Sequence, residues 1–288
     1  MLVLFTDTDT DLTPQEAQKY GYRLISMPYS IDGKEVYPYV DFDEFHPHEF
    51  YQRLRDGVMP QTSAISPEAY TAYFEPFFQK GDDILYVHFS AAMSGTFNAM
   101  HLAVQELLQK YPERHFYTVD TKGITICSNN IVKEIGDLYL RGATAQEILD
   151  WADREVDKFA IYFYADNLKF FQRSGRVSGF SAAMGNLIGI KPIIYMSSEG
   201  VMTSLAKGRG RKKTLSMIVD YVENLQENIR DHRVIIGHTD ALPIAQELGK
   251  MLQERLGELP IEYVVVNPTA GSHCGPDGVG VCFHAIHR

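Results

Sequence analysis

The sequence predicts an α/β protein of two domains, the first built on a Rossmann-like parallel sheet and the second on a mixed one. At 288 residues the chain exceeds the length at which one hydrophobic core is usual. Short β-branched or aromatic runs alternate with segments of helical period. In the second half, two apolar runs flank Ser-Ser-Glu-Gly, a hairpin signal that brings antiparallel pairing into that sheet.

Residues 2–5, 84–89, 116–119, 159–164, 234–237 and 263–266 form compact strand-like runs. Between them, Phe97, Met100, Val104, Leu107 and Leu108 recur at helical spacing. Leu215, Ile218, Val219, Val222 and Leu225 do the same, as do Ile244, Leu248, Met251 and Leu252. The alternation predicts largely parallel sheets, with the hairpin arms at 192–196 and 201–205 as the exception. The domain boundary is placed near Asp157, giving domains 1–157 and 158–288.

The composition, 45% hydrophobic and 22% charged, is that of an ordinary globular protein. A net charge of −10 argues against nucleic acid as the main partner, because duplex binding needs a broad cationic face. No apolar run approaches the roughly 20 residues of a membrane span, so no integral membrane contact is expected. The N-terminus lacks a cationic region and reads as a first strand instead of a signal peptide. Cys127, Cys274 and Cys282 are sparse and odd in number, which suits a cytoplasmic location.

Directly after the first strand stands "TDTDTDLTP", residues 6–14. An EF-hand loop starting at Asp7 would need glycine where Leu12 stands and glutamate where Gln18 stands, so that match fails halfway. A phosphatase-like D-x-D-x-T is spelled by Asp9 to Thr13, with Asp9 or Asp11 as nucleophile and Mg²⁺ as cofactor. The structural alternative is a strand-to-helix turn, with Asp11 or Thr13 capping a helix that begins at Pro14 and carries Glu16 in its first turn. That reading is preferred, and no metal is expected.

Two further turns place hydroxyls at helix starts. Ser66-Pro67 is a good N-cap and N1 pair, with Thr62 and Ser63 just upstream. Ser94-Gly95-Thr96 lies between a strand and a helix. Hydroxyls and free amides at helix N-termini suit a carboxylate or phosphate. Ser94 lacks the G-x-S-x-G elbow of a hydrolase nucleophile. His273 and Cys274 fall in a glycine-rich segment read as an extended loop, where adjacent side chains point apart and a Cys-His dyad is disfavoured. Arg173 and Arg176 flank a Ser-Gly turn, and Lys207, Arg209, Arg211, Lys212 and Lys213 form a cationic run at a helix start. Cations there oppose the helix dipole, which hints at a phosphate or an acidic partner. The Walker-loop spacing is absent.

These segments, in this order, resemble the DegV family. Its Asp-Ser-x-x-Asp-Leu turn is matched by Asp7 to Leu12, its Thr-Ser-Gln-Pro-Ser-Pro by Thr62 to Pro67, and its Ser-Ser-x-x-Ser-Gly-Thr by Ser90 to Thr96. Gln172 to Ser178 echoes Lys-Gly-Gly-Arg-(Ile/Val)-Ser, and Ile190 to Ile193, Lys207-x-Arg209 and His273 with Gly275-Pro276 complete the set. The chain departs from the pattern at Ala64-Ile65, in place of Gln-Pro, and at Ser174, in place of glycine. The resemblance implies a non-enzymatic protein that holds one long-chain fatty acid, of the palmitate or oleate class, between its domains. It would present the carboxylate to the catalytic subunit of a fatty acid kinase, which makes acyl phosphate for phospholipid synthesis.

By motif position, Thr62, Ser63, Ser94, Gly95 and His273 would bind the carboxylate, and Arg176 and Arg209 would dock the kinase and its phosphates. No cofactor is implied. The small and apolar segment at 178–190 is the candidate lining for the acyl tunnel. The competing readings are the Mg²⁺-dependent phosphatase or phosphotransferase using Asp9 or Asp11, and a small-carbonyl binder resembling dihydroxyacetone kinase subunits, acting through His273.

Overall fold

The computed structural model describes residues 1–166, 168–178 and 189–288. The chain opens with β1 (Leu2–Asp7), α1 (Pro14–Tyr20), β2 (Tyr22–Ile25), β3 (Tyr29–Ile31) and β4 (Lys34–Val36). It continues through α2 (Pro47–Arg55), β5 (Gln61–Thr62), α3 (Pro67–Gln79), β6 (Asp83–His88) and α4 (Thr96–Lys110). β7 (Phe116–Asp120), α5 (Ile126–Leu140) and α6 (Ala145–Glu155) follow, before β8 (Phe159–Tyr164), α7 (Leu168–Ser174) and β9 (Val177–Ser178). The last part holds β10 (Ile190–Met196), β11 (Met202–Arg209), α8 (Arg211–Leu225), β12 (Val234–His238), α9 (Leu242–Leu256), β13 (Ile261–Val265), α10 (Pro268–Cys274) and β14 (Val279–His284).

The first sheet has the order β2-β1-β6-β7 and is parallel throughout, as Rossmann-like alternation requires. A small antiparallel sheet, β4-β3-β5, stands beside it. The other large sheet runs β13-β12-β14-β8-β10-β11-β9. It is mixed, and more antiparallel than simple alternation suggests, since only β12–β13 and β11–β9 pair in parallel. The cause is β14, which inserts antiparallel to both of its neighbours, β12 and β8. β14 is buried along its whole length, and the β-carbon of Phe163 packs so tightly over Gly280 that no side chain fits there. Gly278 and Gly280 give this segment the look of a loop in the sequence, whereas a close backbone approach requires the second of them.

Local chemistry accounts for the helix starts nearest the cleft. Thr13 caps α1 in a reciprocal capping box with Glu16, and Pro14 occupies the first turn. Ser66 caps α3 by accepting the N–H of Ala69. Asp11, the other sequence candidate for the α1 cap, sits instead in a left-handed conformation and binds Asn267, 256 residues away.

The two large sheets meet through α5. Its first eleven residues are almost all buried, polar ones included, because the helix packs on β8, β12 and β14 and on the turn after β1. Asn129 donates to the carbonyl of Thr10 at 3.0 Å, and Asn130 to that of Arg233 at 2.9 Å. Lys133, 3% exposed, joins Glu16 and Glu262 at 2.8 Å each, one from either half of the chain. A second tie is Arg55 of α2, which reaches Asp240 at 2.6 Å and Asp277 at 2.8 Å.

Candidate ligand-binding site

A cleft open to solvent at its mouth lies between the sheets. Its walls come from the C-terminal ends of strands in both halves, where open α/β sheets place their ligands. Phe89, Ile161, Phe163, Phe171, Met202 and Val266 supply apolar wall. Thr62, Ser63, Ser94, Arg176 and His273 bring polar groups to the same cavity.

Each polar group has a local reason for its position. Thr62 ends β5, which pairs with β3 at Tyr29 and so overhangs α10. α10 starts at Pro268 under an Asn267 cap that accepts the N–H of Ala270 at 2.9 Å. That start sets His273 in its last turn, with Nε2 2.9 Å from the Thr62 hydroxyl. Burial, reinforced by the charges of Arg176 and Arg173, pushes His273 down to about 4, so the ring is neutral at physiological pH. A neutral ring that donates Nε2–H to Thr62 Oγ1 leaves the Thr62 proton free for an incoming acceptor. Ser94 precedes α4, where its hydroxyl accepts the Thr96 N–H at 3.3 Å and keeps its own proton available. Ser63 also lines the cavity, while its hydroxyl donates to Glu35 at 2.7 Å.

Of the remaining expected residues, Gly95 and Arg209 lie apart. Gly95 is the exposed N-cap of α4 and is not part of the cavity wall. Arg209 is exposed at the end of β11, opposite Ile190, also outside the wall. Arg176 lies at the wall while its guanidinium donates to the Ser174 carbonyl at 2.6 Å. His273 and Cys274 belong to a helix and not to the extended loop read from the sequence, since Pro268 and the Asn267 cap start a helix within the glycine-rich segment. The Cys274 thiol is pushed up to about 12 by burial, with Asp11 and Asp9 adding to it, which makes it a poor nucleophile. The expected tunnel lining at 178–190 falls mainly on 179–188, outside the described residues.

The aspartates after β1 are bound into the protein. Asp7 accepts the Asp9 N–H, the Tyr86 hydroxyl and the Phe89 N–H, at 3.1, 3.0 and 3.2 Å. Asp11 accepts both the backbone and the side-chain N–H of Asn267, at 2.8 and 2.7 Å. Burial raises Asp7 and Asp11 to about 7 and Asp9 well above its usual range. Among the described residues, no group of three or more His, Cys, Asp or Glu side chains is arranged to hold a metal ion.

Several wall residues carry no motif: His238 and Thr239 at the end of β12, and Thr269 in α10. Their positions after predicted strands were the available signal, because ligands gather at the C-terminal ends of strands.

Residues 1–285 match the model of the uncharacterised protein family DegV. A DegV domain-containing protein of Clostridium perfringens is 32% identical over 283 residues, covering 98% of this chain and 96% of that protein. Two solved structures share the fold. A DegV family protein from Thermus thermophilus, described for its fatty acid binding, is 25% identical with a TM-score of 0.84, over 99% of each chain. A stearic acid-binding protein from Eubacterium ventriosum is 23% identical with a TM-score of 0.86, over 99% of this chain and 98% of that one. Matched along nearly its whole length by both the family model and a relative above 30% identity, the chain belongs to the DegV family.

Proposed function

We propose that this protein binds one long-chain fatty acid non-covalently between domains 1–157 and 158–288, and presents its carboxylate to a separate fatty acid kinase for acyl-phosphate formation. The observation that carries the reading is a cleft with apolar walls that also holds Thr62, Ser94 and a neutral His273. A carboxylate taken out of water needs donors, and two hydroxyls oriented by neighbouring groups supply them without a metal. Affinity comes mainly from the acyl tail, at about 0.8 kcal/mol per buried CH₂ and on the order of 10 kcal/mol gross for a dozen methylenes. The protein itself contributes no covalent chemistry. Arg176 at the wall and exposed Arg209 are the groups we assign to docking the kinase and its phosphates. Fatty-acid binding by the Thermus thermophilus and Eubacterium ventriosum proteins is in keeping with this reading.

Denaturing extraction of the purified protein, followed by mass spectrometry, should release fatty acid. A lipid-free preparation that also fails to take up palmitate or oleate would refute the reading.

A further inference from the structure

Thr62 and Ser63 reach the cavity wall from a unit that is distinct from both large sheets. β5 is an edge of the small sheet β4-β3-β5 and is paired there at two positions, Thr62 opposite Tyr29 and Gln61 opposite Ser30. With α2, this sheet has an apolar core of its own, Tyr29, Ile31, Phe50, Tyr51 and Leu54, joined from outside by Phe170 of α7. So short a pairing is marginal in water by itself, and the place of Thr62 over His273 depends on ties to the rest of the molecule. The Tyr51 hydroxyl donates to the Val266 carbonyl at 2.8 Å, and Arg173 of α7 donates to the Met59 carbonyl at 2.9 Å.

Arg55, the last residue of α2, makes the most extensive of these ties. It donates from Nη1 to Asp240 Oδ2 at 2.6 Å, from Nη2 to Asp277 Oδ1 at 2.8 Å and from Nε to Asp277 Oδ2 at 3.2 Å. The last two form a fork on one carboxylate, a geometry that arginine has and lysine lacks. Nη2 also reaches the Asp240 carbonyl at 3.2 Å. Both aspartates stand at positive φ, 57° and 63°, beside residues of the cavity wall: Asp240 follows Thr239, and Asp277 precedes Gly278. The two wall loops are stitched together where Gly278 donates its N–H to Thr239 Oγ1 at 2.7 Å. Arg55 thus grips both loops, and the chain leads from it through residues 56–60 into β5 and Thr62. The arginine side chain is 25% exposed and its two partners 20% and 40%, open enough to solvent for salt to weaken the pairs.

We propose that Arg55 is a positioning residue for the fatty acid: its fork holds Thr62 over the cleft, and release of the fork is the step that lets ligand out past β5. The proposal rests on the fatty-acid reading above and gives that site a latch of charged groups, none of which is part of the cavity wall.

The test is the rate at which a bound fluorescent fatty acid leaves the full chain when excess oleate is added, at low and at roughly tenfold higher NaCl. Arg55→Met, which keeps an unbranched apolar stem and removes the fork, should release ligand roughly 10-fold faster than the wild type at low salt, the effect of about one net charge-assisted hydrogen bond. Salt should speed release from the wild type and leave the Arg55→Met rate unmoved, a difference that lost packing would not produce. Arg55→Lys, with the charge but not the fork, should fall between the two. Thr62→Val should weaken binding less in the Arg55→Met background than in the wild type, because the hydroxyl is no longer held in place. Asp277→Asn, at the more exposed partner, should also speed release and serves if Arg55→Met does not fold. The proposal alone is overturned by wild-type release rates in both Arg55→Met and Asp277→Asn, by one salt dependence shared by all, or by equal effects of Thr62→Val in the two backgrounds. A wild type that takes up no fatty acid overturns the fatty-acid reading and this proposal with it.

Discussion

Replacing Asp11 by asparagine should stabilise the protein above neutral pH and flatten its dependence on pH. Asp11 is buried, with Oδ1 accepting two N–H groups of Asn267 and Oδ2 left without a partner among the described residues. Burial moves its pKa from 3.8 to about 7 despite those hydrogen bonds, with the charge of Glu16 acting in the same direction and Lys133 opposing. Between pH 4 and 7 the folded protein therefore holds a proton that the unfolded chain has released. Stability is fullest below that window, falls as pH rises through it, and levels off above about 7. The full drop from this one group is on the order of 4 kcal/mol. An asparagine keeps an oxygen for Asn267 but buries an unpaired amide where Oδ2 stood, at a cost of roughly 1–3 kcal/mol. The net gain at pH 8 is then about 1–3 kcal/mol, read from urea midpoints at pH 5.5 and 8. Parallel pH dependences for the variant and the wild type would refute the reasoning.

Asp7→Asn should be destabilising only at the lower pH. Both Asp7 oxygens accept hydrogen bonds, so an amide must face a donor, and urea denaturation should show a loss of about 1–3 kcal/mol at pH 5.5 that is offset at pH 8, where the wild-type carboxyl, also raised to about 7, has given up its proton. Thr62→Val with Ser94→Ala should weaken fatty-acid binding roughly 100-fold while the urea midpoint barely moves, because both side chains are only partly buried. An unchanged affinity by fluorescent displacement would place the carboxylate elsewhere. Gly136→Ala, a substitution that ordinarily favours a helix, should instead cost roughly 1–3 kcal/mol, since the new methyl would stand 2.8 Å from the β-carbon of Tyr20. A rise in the urea midpoint would contradict the packing seen between α5 and α1.

Much of the fold could be read along the chain. Strand-like runs place β1, β6, β7, β8, β12 and β13 to within two residues at each end, and apolar stripes mark α4, α8 and α9. Those elements have one clear period because each buries one face or is a short, wholly apolar strand. α5 has no such stripe. Ser128, Asn129, Asn130 and Lys133 are polar and buried together, each bound to at least one partner that only the tertiary structure supplies. β14 was hidden by its glycines, and α10 by a glycine-rich context that outweighed the Asn-Pro start signal. At the site, Thr62 and His273 are 211 residues apart, and no local pattern could join them. The resemblance to a family singled out both residues, and the contact between them comes from β5 overhanging α10. The aspartates read well as a turn, but the Asp11–Asn267 bond depends on a neighbour from the far end of the chain.

The burial of the first eleven residues of α5 also bears on how a ligand can enter and leave. In a hinged protein, two halves swing apart about a thin connector and the guest departs through the opening. Here the connecting helix is itself core, gripped by β8, β12 and β14 on one side and by the turn after β1 on the other. Swinging the halves apart would strip this helix of its packing on β8, β12 and β14, a large loss of buried contact. Exchange must therefore run through smaller displacements at the rim, where β5 and α7 carry exposed and half-buried residues.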